Sequence, residues 1–475
     1  MDRFMSILTN AYLNSLQILN IYNLTYLRAY SKAITEERNG EVGDATVVIH
    51  AGNKETPFQN SVELTYNRWL NNVDHELEGE LKSERFTSIL SSYVHSLLEL
   101  RSVFEKVGYP IGYLDWMFDR YVKSNSMFFS FIQKESHLAP FDVVYRKGKA
   151  RLLHYRKNDQ ETSSATTTAI KKQQKEQQPL LIIYAPINTF HILDLNSRRS
   201  VVRDLLASGG LDIYLLDWGY PDWSDDHLSM QDYLSYVSEA VQVVKGKTHA
   251  DKVSTLGYCW GGLFALIHAA VDPEQIRNLV LMAVPIDFSK DDSILARWSK
   301  ANDAVDSMVY EFGHLDGQVL DLGFLMRNPP RYSFEKYVKF FQRSYDWDFV
   351  DTFIDVERWL YDTPPIPGVL FRQIINDFYR NNNLVAISDG KMQVLDSEGK
   401  MKKVDIQKNI TMPVLSVIAK QDDLVSPASS LAINDHIASK DKSVLENPGG
   451  HVALCISNTA HKKLWPDVAK WLLSR

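Results

Sequence analysis

The sequence predicts an α/β fold in which a mainly parallel sheet follows a helical region and is interrupted by a helical insertion. Three observations predict this architecture. Short apolar runs alternate with helical patterns from Pro179 onward. The alternation stops after Pro285 and resumes only at Pro413. A cysteine also lies in a glycine-flanked turn between a predicted strand and a predicted helix.

Composition and charge indicate an ordinary globular protein. Of the 475 residues, 45% are hydrophobic and 11% are aromatic, which is enough for one large core with accessory elements. The formal charge of −7 at pH 7 argues against nucleic acid as the main partner, because neutralising phosphates needs a basic face. The chain has two cysteines and no secretory leader pattern, so the cytoplasm is the expected location.

Residues 1–138 carry helix-like apolar periodicity, clearest in residues 86–104, and predict a helical N-terminal region. The most apolar stretch, Met5 to Ile34, is interrupted by several asparagines. It lacks the roughly 20 uninterrupted apolar residues that a membrane span needs. We therefore expect an amphipathic helix here and no transmembrane segment.

The core is predicted to begin at residue 139 with a β-hairpin. Residues 141–155 contain two β-type runs on either side of Lys147-Gly148-Lys149, which is a turn signal. The next residues, about 156–178, are mostly Lys, Gln, Ser, Thr and Glu and offer little to bury. They predict a mobile surface insertion.

The alternation that follows predicts βαβ crossovers and a parallel sheet buried on both faces. The predicted strands share runs of Leu, Ile and Val and cover residues 180–185, 212–218, 252–258 and 278–284. Helical patterns between them include residues 200–208 and 230–244. These elements form the first part of the predicted core, residues 139–285.

Residues 286–400 are aromatic-rich and helical in pattern, and an insertion at this place in a parallel sheet is typical of a cap. A buried strand at residues 413–419 then predicts that the core resumes, so residues 401–475 form its second part. An apolar cap would exclude water from a site at the edge of the sheet. A well-packed helical subdomain without that role is the alternative.

The sharpest motif is Gly257-Tyr258-Cys259-Trp260-Gly261-Gly262. It matches the nucleophile elbow of the α/β-hydrolase fold, with Cys259 in the nucleophile position. Gly257 and Gly261 supply the small residues that let the backbones of a strained turn approach closely. A helix N-terminus at this point favours a thiolate. A buried structural cysteine in a glycine-rich turn is the alternative that the motif alone leaves open.

Two later features complete a nucleophile, acid, histidine order along the chain. Asp422 and Asp423 follow the strand at 413–419, where this fold places its acid, although an acidic pair alone could be a turn or cap. His451 lies in a glycine-lined loop after the run of residues 443–447, and we expect it to be the general base. Cys455 is expected to face the core from the last helix and to carry no chemistry.

Acyl transfer also needs donors for a tetrahedral oxyanion. One expected donor is the backbone amide of Trp260, the residue after the nucleophile. The other is expected from the loop after residues 180–185, around Ile187 and Asn188.

From about Ala139 to Arg475 the chain resembles polyhydroxyalkanoate synthases, specifically the catalytic subunit of the two-component class III type. The segments that carry the resemblance are FDVVYRKGKARLLHY, YAPINTFHILDL, DWGYPDWSDDHLSMQDY, GYCWGG, PIDFSKDDS, LDLGFLMRNP, IINDFYRNNNL, ITMPVLSVIAKQDDLVSPASS and PGGH. The resemblance implies that Cys259 is the nucleophile, Asp422 the acid and His451 the base. Members of this family typically have His immediately after the catalytic Asp, whereas this chain has Asp423.

The resemblance also implies an acyltransferase that polymerises 3-hydroxyacyl groups from coenzyme A thioesters, in particular short-chain ones such as 3-hydroxybutyryl-CoA, through an acyl-cysteine. Coenzyme A would be the leaving group, and no cofactor or metal is expected. A second synthase subunit, a homo- or hetero-oligomer and association with polyester granules are further implications. Two alternatives remain at this stage: a cysteine hydrolase of esters, thioesters or lactones, and a noncatalytic granule-binding scaffold.

Overall fold

The computed structural model describes residues 138–156, 177–293 and 392–475, and parts of 296–385. The predicted helical N-terminal region and nearly all of the predicted insertion at 156–178 lie outside the described residues. Residues 135–336 and 351–475 form one compact unit, and residues 337–350 fall outside it. This compact unit contains the sheet and every residue predicted for the site.

The chain enters the sheet through the predicted hairpin, β1 (Phe141–Lys147) and β2 (Ala150–Tyr155), which pair antiparallel. The turn between them uses Gly148 with φ +56°. The next strand, β3, begins at Gln178, the last residue of the range predicted for the insertion. The polar Gln178 side chain is buried, and its hydrogen bond to Oγ of Ser254 at 2.7 Å compensates for the water that it loses.

Eight strands form the main sheet of the described residues, in the order β1-β2-β6-β3-β7-β8-β13-β14. From β6 to β14 all neighbours are parallel. The remaining strands of this sheet are β3 (Gln178–Ile183), β6 (Leu211–Asp217), β7 (Val253–Tyr258), β8 (Ile276–Met282), β13 (Val414–Ala419) and β14 (Lys442–Asn447). The predicted strands are confirmed to within about two residues, the usual uncertainty at element ends.

The helices of the core flank this sheet. They are α1 (Val201–Ala207), α2 (Met230–Thr248), α3 (Trp260–Val271), α7 (Ile406–Asn409), α8 (Pro427–Leu431), α9 (Ala453–Ile456) and α10 (Trp465–Leu473). Both predicted helices are confirmed, as α1 and α2. Ser229 and Asp232 cap α2 reciprocally, each side chain bonding the other's backbone amide, which fixes where this helix starts.

Burial explains the apolar runs of the sequence. Every residue of β3, β7 and β13 is buried, as expected for parallel strands covered on both faces. Helix α3 is buried along its whole length because it packs directly beneath the sheet's central strands, whereas α2 buries only residues spaced three and four apart.

The predicted cap contains α4 (Lys336–Gln342), α5 (Trp347–Leu360) and α6 (Gly368–Ile374). It also contains short strands that the sequence does not predict: the pair β9 (His314–Leu315) and β10 (Ile366–Pro367), and the hairpin β11 (Gln393–Leu395) and β12 (Met401–Lys403). This hairpin crosses the boundary predicted at residue 400. Its strands are short and largely exposed, so they lack an apolar pattern.

A further pair of short strands, β4 (Asp194–Asn196) and β5 (Arg199–Ser200), precedes α1. None of the helices in the described part of the chain is long and apolar enough to cross a bilayer. The same described residues include no group of three or more His, Cys, Asp or Glu side chains placed to bind a metal ion.

Candidate active site

The candidate nucleophile lies in a strained turn. Cys259 links β7 to α3 with φ +52° and ψ −127°, a conformation that costs a residue with a side chain about 1–3 kcal/mol. Its amide donates to the carbonyl of Met282 at the end of β8, at 2.9 Å. The side chain is buried, with 7% of the residue exposed. The sheet therefore holds the thiol in a fixed place at the carboxyl edge of its central strands.

The two glycines predicted to shape this turn lie where a side chain has no room. A Cβ on Gly261 would lie 2.3 Å from the carbonyl oxygens of Ile183 and Tyr184, at the end of β3. A Cβ on Gly257 would lie 2.3 Å from the Cα of Gly262. Both distances are far inside van der Waals contact, so the turn needs glycine at both positions.

Asp422 follows β13 and faces His451. Its Oδ2 is 2.7 Å from Nδ1 of His451. Its Oδ1 accepts hydrogen bonds from the amides of Leu424 and Val425, both at 2.9 Å. Burial acts to raise the pKa of Asp422, but the charge of His451 and these hydrogen bonds outweigh it and lower that pKa. The carboxylate thus stays charged, and both of its oxygens are engaged.

His451 lies in the loop after β14, which turns at Gly449 with φ +101°. Its ring stacks on Tyr258 with centroids 5.1 Å apart. Burial acts to lower the pKa of His451, but the charges of Asp422 and Cys259 and hydrogen bonds to both raise it to about 10. Because Nδ1 is occupied by Asp422, Nε2 is the nitrogen left for the thiol. The structure therefore brings Cys259, His451 and Asp422 together in one connected row.

Backbone hydrogen bonds join the loop of the acid to the loop of the histidine. The amide of Lys420 donates to the carbonyl of Asn447 at 2.9 Å, and the amide of Gln421 donates to the carbonyl of Gly449 at 3.0 Å. The Gln421 side chain accepts a hydrogen bond from the Gly449 amide in return. The separation of the acid from the histidine is thus set by main-chain contacts at the ends of two adjacent parallel strands.

The neighbouring carboxylate, Asp423, does not face the histidine. Its Oδ1 accepts from Nη1 of Arg327 at 2.8 Å, and its Oδ2 accepts from the hydroxyl of Tyr332 at 2.5 Å. Both partners belong to the predicted cap. Of the two aspartates, only Asp422, the acid that the resemblance implies, contacts His451.

Aromatic side chains of the cap pack against Trp260, the residue after the candidate nucleophile. The indole of Trp260 donates to the hydroxyl of Tyr379 at 3.2 Å, and its ring lies 6.3 Å from that of Phe371. The ring of Tyr379 in turn packs edge-on against Phe288 at 4.6 Å. Burial is the main cause that raises the pKa of Tyr379, and the hydrogen bond with Trp260 acts in the other direction. Sequence reasoning gave no role to Tyr379, although it lies in the quoted segment IINDFYRNNNL.

The residues predicted to form an oxyanion hole lie at the same edge of the sheet. Trp260 is the first residue of α3. The backbone N–H at this position of a helix has no acceptor within the helix. Ile183 of β3 pairs with Gly257, so the loop with Ile187 and Asn188 emerges beside the elbow. The Asn188 side chain donates to the carbonyl of Leu360 at 3.2 Å. Assigning these amides as oxyanion donors stays a prediction.

The second cysteine faces the core, as predicted, but not from the last helix. Cys455 lies in the four-residue helix α9, directly after His451, and is fully buried. Burial is the main cause that raises its pKa to about 12, with a hydrogen bond to Tyr258 acting in the other direction. A thiol of such high pKa is a poor nucleophile at neutral pH.

A family model described as the alpha/beta hydrolase fold matches residues 178–455. The chain is 38% identical over 297 residues to the poly(3-hydroxyalkanoate) polymerase subunit PhaC of Allochromatium vinosum. The matched residues make up 62% of this chain and 81% of that relative. It is 35% identical over 338 residues to the protein of the same name from Haloferax mediterranei, which covers 71% of this chain. The chain spans 64% of the length of that Haloferax relative.

Among solved structures, the monoacylglycerol lipase of Paleococcus ferrophilus matches with 16% identity and a TM-score of 0.40, over 62% of this chain and 94% of the lipase.

Proposed function

This chain belongs to the poly(3-hydroxyalkanoate) polymerase family and has the α/β-hydrolase fold, and we propose that it polymerises 3-hydroxyacyl groups. The donors would be coenzyme A thioesters, and the growing chain would pass through an acyl-cysteine on Cys259. The single observation that carries the proposal is the connected row of Cys259, His451 and Asp422 in a buried, aromatic-lined site.

The first step would be transfer of the acyl group to the enzyme. The Cys259 sulfur attacks the thioester carbonyl as a thiolate, and coenzyme A leaves when the tetrahedral intermediate collapses, taking a proton from the His451 imidazolium. One thioester is broken and another is made, so the acyl group remains activated. An ester on serine would lose that activation. The raised pKa of His451 supports this assignment, because it keeps the imidazolium beside the sulfur.

The second step would lengthen the polyester. The 3-hydroxyl of another acyl unit attacks the acyl-cysteine carbonyl, His451 takes the hydroxyl proton through Nε2, and the Cys259 thiolate leaves. Asp422 would orient His451 rather than activate the hydroxyl. Both of its oxygens are already hydrogen-bonded, to His451, Leu424 and Val425, which supports that role.

Water would compete with the hydroxyl as acceptor, and the burial of the site opposes it. Cys259 and His451 are each 7% exposed, and the rings of Tyr379 and Phe371 pack against Trp260 beside the nucleophile. A closed apolar site strengthens the electrostatic pairing of thiolate and imidazolium and disfavours hydrolysis. A cysteine hydrolase of the same fold would share the triad, so the products decide between the two.

We also propose a second synthase subunit of the class III type, homo- or hetero-oligomers, and a cytoplasmic location on polyester granules. The helical N-terminal region that the sequence offers as an association surface lies outside the described residues. Deleting residues 1–60 is expected to weaken binding of the companion or of granules more than folding of the core. Normal binding and full polymerisation by the truncated chain would contradict that assignment alone.

The experiment that tests the function uses purified chain with 3-hydroxybutyryl-CoA, with and without the companion subunit. Release of coenzyme A thiol and formation of insoluble polyester are followed in the same reaction. Thiol release matched by polymer supports the proposal. Thiol release with free hydroxy acid and no polymer would identify a hydrolase, and no thiol release under either condition would favour a noncatalytic scaffold.

A further inference from the structure

The two adjacent carboxylates in the loop after β13, here called the acid loop, contact different regions of the molecule. Asp422 turns inward to His451, whereas Asp423 turns outward to Arg327 and Tyr332 of the cap. Asp423 therefore links the cap to the loop that carries the proposed catalytic acid. We infer that Asp423 is a latch: it holds the cap on the sheet edge, and its release opens the way to Cys259.

The partners of Asp423 are arranged in advance for this contact. The guanidinium of Arg327 lies over the ring of Tyr332 at 4.7 Å and near the ring of Phe324 at 5.8 Å. Its Nε donates to the carbonyl of Phe324 at 3.2 Å, which leaves Nη1 directed at Asp423. One carboxylate thus joins a cation and a hydroxyl, so loss of its charge weakens both contacts at once.

The other end of this link is fixed. The acid loop is bonded to the histidine loop through the amides of Lys420 and Gln421, and the Asp422 side chain bonds the amides of Leu424 and Val425. A residue on so constrained a loop cannot follow the cap when the cap moves. Movement of the cap away from the sheet edge must therefore break the Asp423 contacts.

A second attachment of the cap has a different character. Near β3, Asn188 donates to the carbonyl of Leu360 at 3.2 Å, and the indole of Trp359 donates to the carbonyl of Thr189 at 2.8 Å. These bonds are neutral and largely buried. The Asp423 side chain is 35% exposed, so salt screens its charge. Compared with these two neutral bonds, the Asp423 contact is the one that salt and loss of charge weaken most.

The test measures access to Cys259 directly. Full-length protein is treated with iodoacetamide under native conditions, and alkylation of each cysteine is followed by peptide mass spectrometry. Asp423→Asn should increase the rate at Cys259 about fivefold, the size expected for a partly exposed charge-assisted contact. Raising the salt concentration should accelerate alkylation of wild type more than of the variant.

Two controls separate opening of the cap from loss of structure. Cys455 is fully buried and has a raised pKa, so in the same samples it reports unfolding and should stay unmodified. Glu446→Gln removes a nearby ion pair, between Glu446 and Lys420, that does not involve the cap. The two side chains are 45% and 51% exposed, respectively. This variant should leave the Cys259 rate unchanged.

A double variant makes the inference sharper. In Arg327→Met, the rate at Cys259 should rise less than in Asp423→Asn, because the contact of Asp423 with Tyr332 remains. Combining the two substitutions should add little to the effect of Asp423→Asn, because Arg327 acts through that carboxylate. Equal Cys259 rates in wild type and Asp423→Asn would overturn the latch, as would parallel modification of Cys455. The inference rests on the proposed function for its meaning, but alkylation needs no turnover, so failure of the latch and failure of polymerisation are distinguishable.

Discussion

Two regions meet at Cys259, and different interactions hold each of them. The edge of the sheet positions the thiol and its partners through main-chain contacts, such as the amide of Cys259 on the carbonyl of Met282 at 2.9 Å. The contacts of the cap with the loop that carries Asp422 are made by side chains, such as Asp423 to Arg327 at 2.8 Å. The geometry of the reacting groups and the access to them thus depend on separate residues. Substitutions should therefore affect one without the other.

The largest effect is expected at the nucleophile. Cys259→Ala should abolish release of coenzyme A, a loss of about a thousandfold or more, because no group remains to carry the acyl chain. Cys259→Ser should be severely impaired, since an alkoxide is harder to generate. Cys455→Ala should retain most activity, which makes it the matched control. Thiol release is the measurement, and full activity in Cys259→Ala would overturn the mechanism.

The two neighbouring aspartates of one loop contact the two different regions: Asp422 contacts His451 at the sheet edge, and Asp423 contacts the cap. Asp422→Asn should lower the polymerisation rate by about a hundredfold or more, because His451 loses the carboxylate that orients it. Asp423→Asn should cost less than tenfold, since it contacts only the cap. Steady-state rates of folded variants check the ranking. A larger loss in Asp423→Asn would move the acid role to Asp423.

The charge of the buried pair predicts how stability depends on pH. The pKa of His451 is raised from 6.5 to about 10, so its stabilising effect is complete below about pH 6.5 and lost as pH rises through about 10. Over this window the free energy of unfolding of wild type should fall, and His451→Gln should lose that part of the slope. Urea unfolding at several pH values measures it. Parallel curves for the two proteins would count against the charged pair.

Asp422 should affect the free energy of unfolding at acid pH, whereas His451 affects it at alkaline pH. Its pKa is lowered from 3.8, so its contribution is present above that value and is lost as pH falls through the pKa of the folded state. Asp422→Asn should accordingly remove part of the acid sensitivity of wild type, and the same unfolding series extended to acid conditions tests this.

The smallest effect is expected on the cap side of the thiol. Tyr379→Phe leaves the buried indole N–H of Trp260 without its hydroxyl partner, which costs about 1–3 kcal/mol of stability. Catalytic rate should change little, because the triad contacts are untouched. Thermal unfolding and thiol release are measured side by side. A loss of activity as large as that of Asp422→Asn would show that Tyr379 takes part in the reaction.

Much of the sheet edge could be predicted from the sequence because its pattern is local. The apolar runs of β3 and β7, the glycines around Cys259 and the order of Asp422 and His451 all follow from chain-local rules. Main-chain bonding then fixes how these residues meet. The same locality explains why the ends of the strands were predicted to within about two residues.

The cap could be predicted only as helical and aromatic because its decisive contacts are long-range. No local pattern distinguishes Asp422 from Asp423; their partners, His451 and Arg327, come from distant parts of the chain. The contact of Tyr379 with Trp260 spans the cap and the core. The hairpin of β11 and β12 is too short and too polar to show a strand period.

The most direct test of the central claim is to trap the acyl-enzyme. Wild-type protein is mixed with 3-hydroxybutyryl-CoA, quenched in acid within the first turnover and digested, and the peptides containing Cys259 and Cys455 are weighed by mass spectrometry. The mechanism predicts that the Cys259 peptide carries the 3-hydroxybutyryl group as a hydroxylamine-sensitive thioester, and that the Cys455 peptide does not. Coenzyme A release without any acyl group on Cys259, or an acyl group on another residue instead, would contradict it.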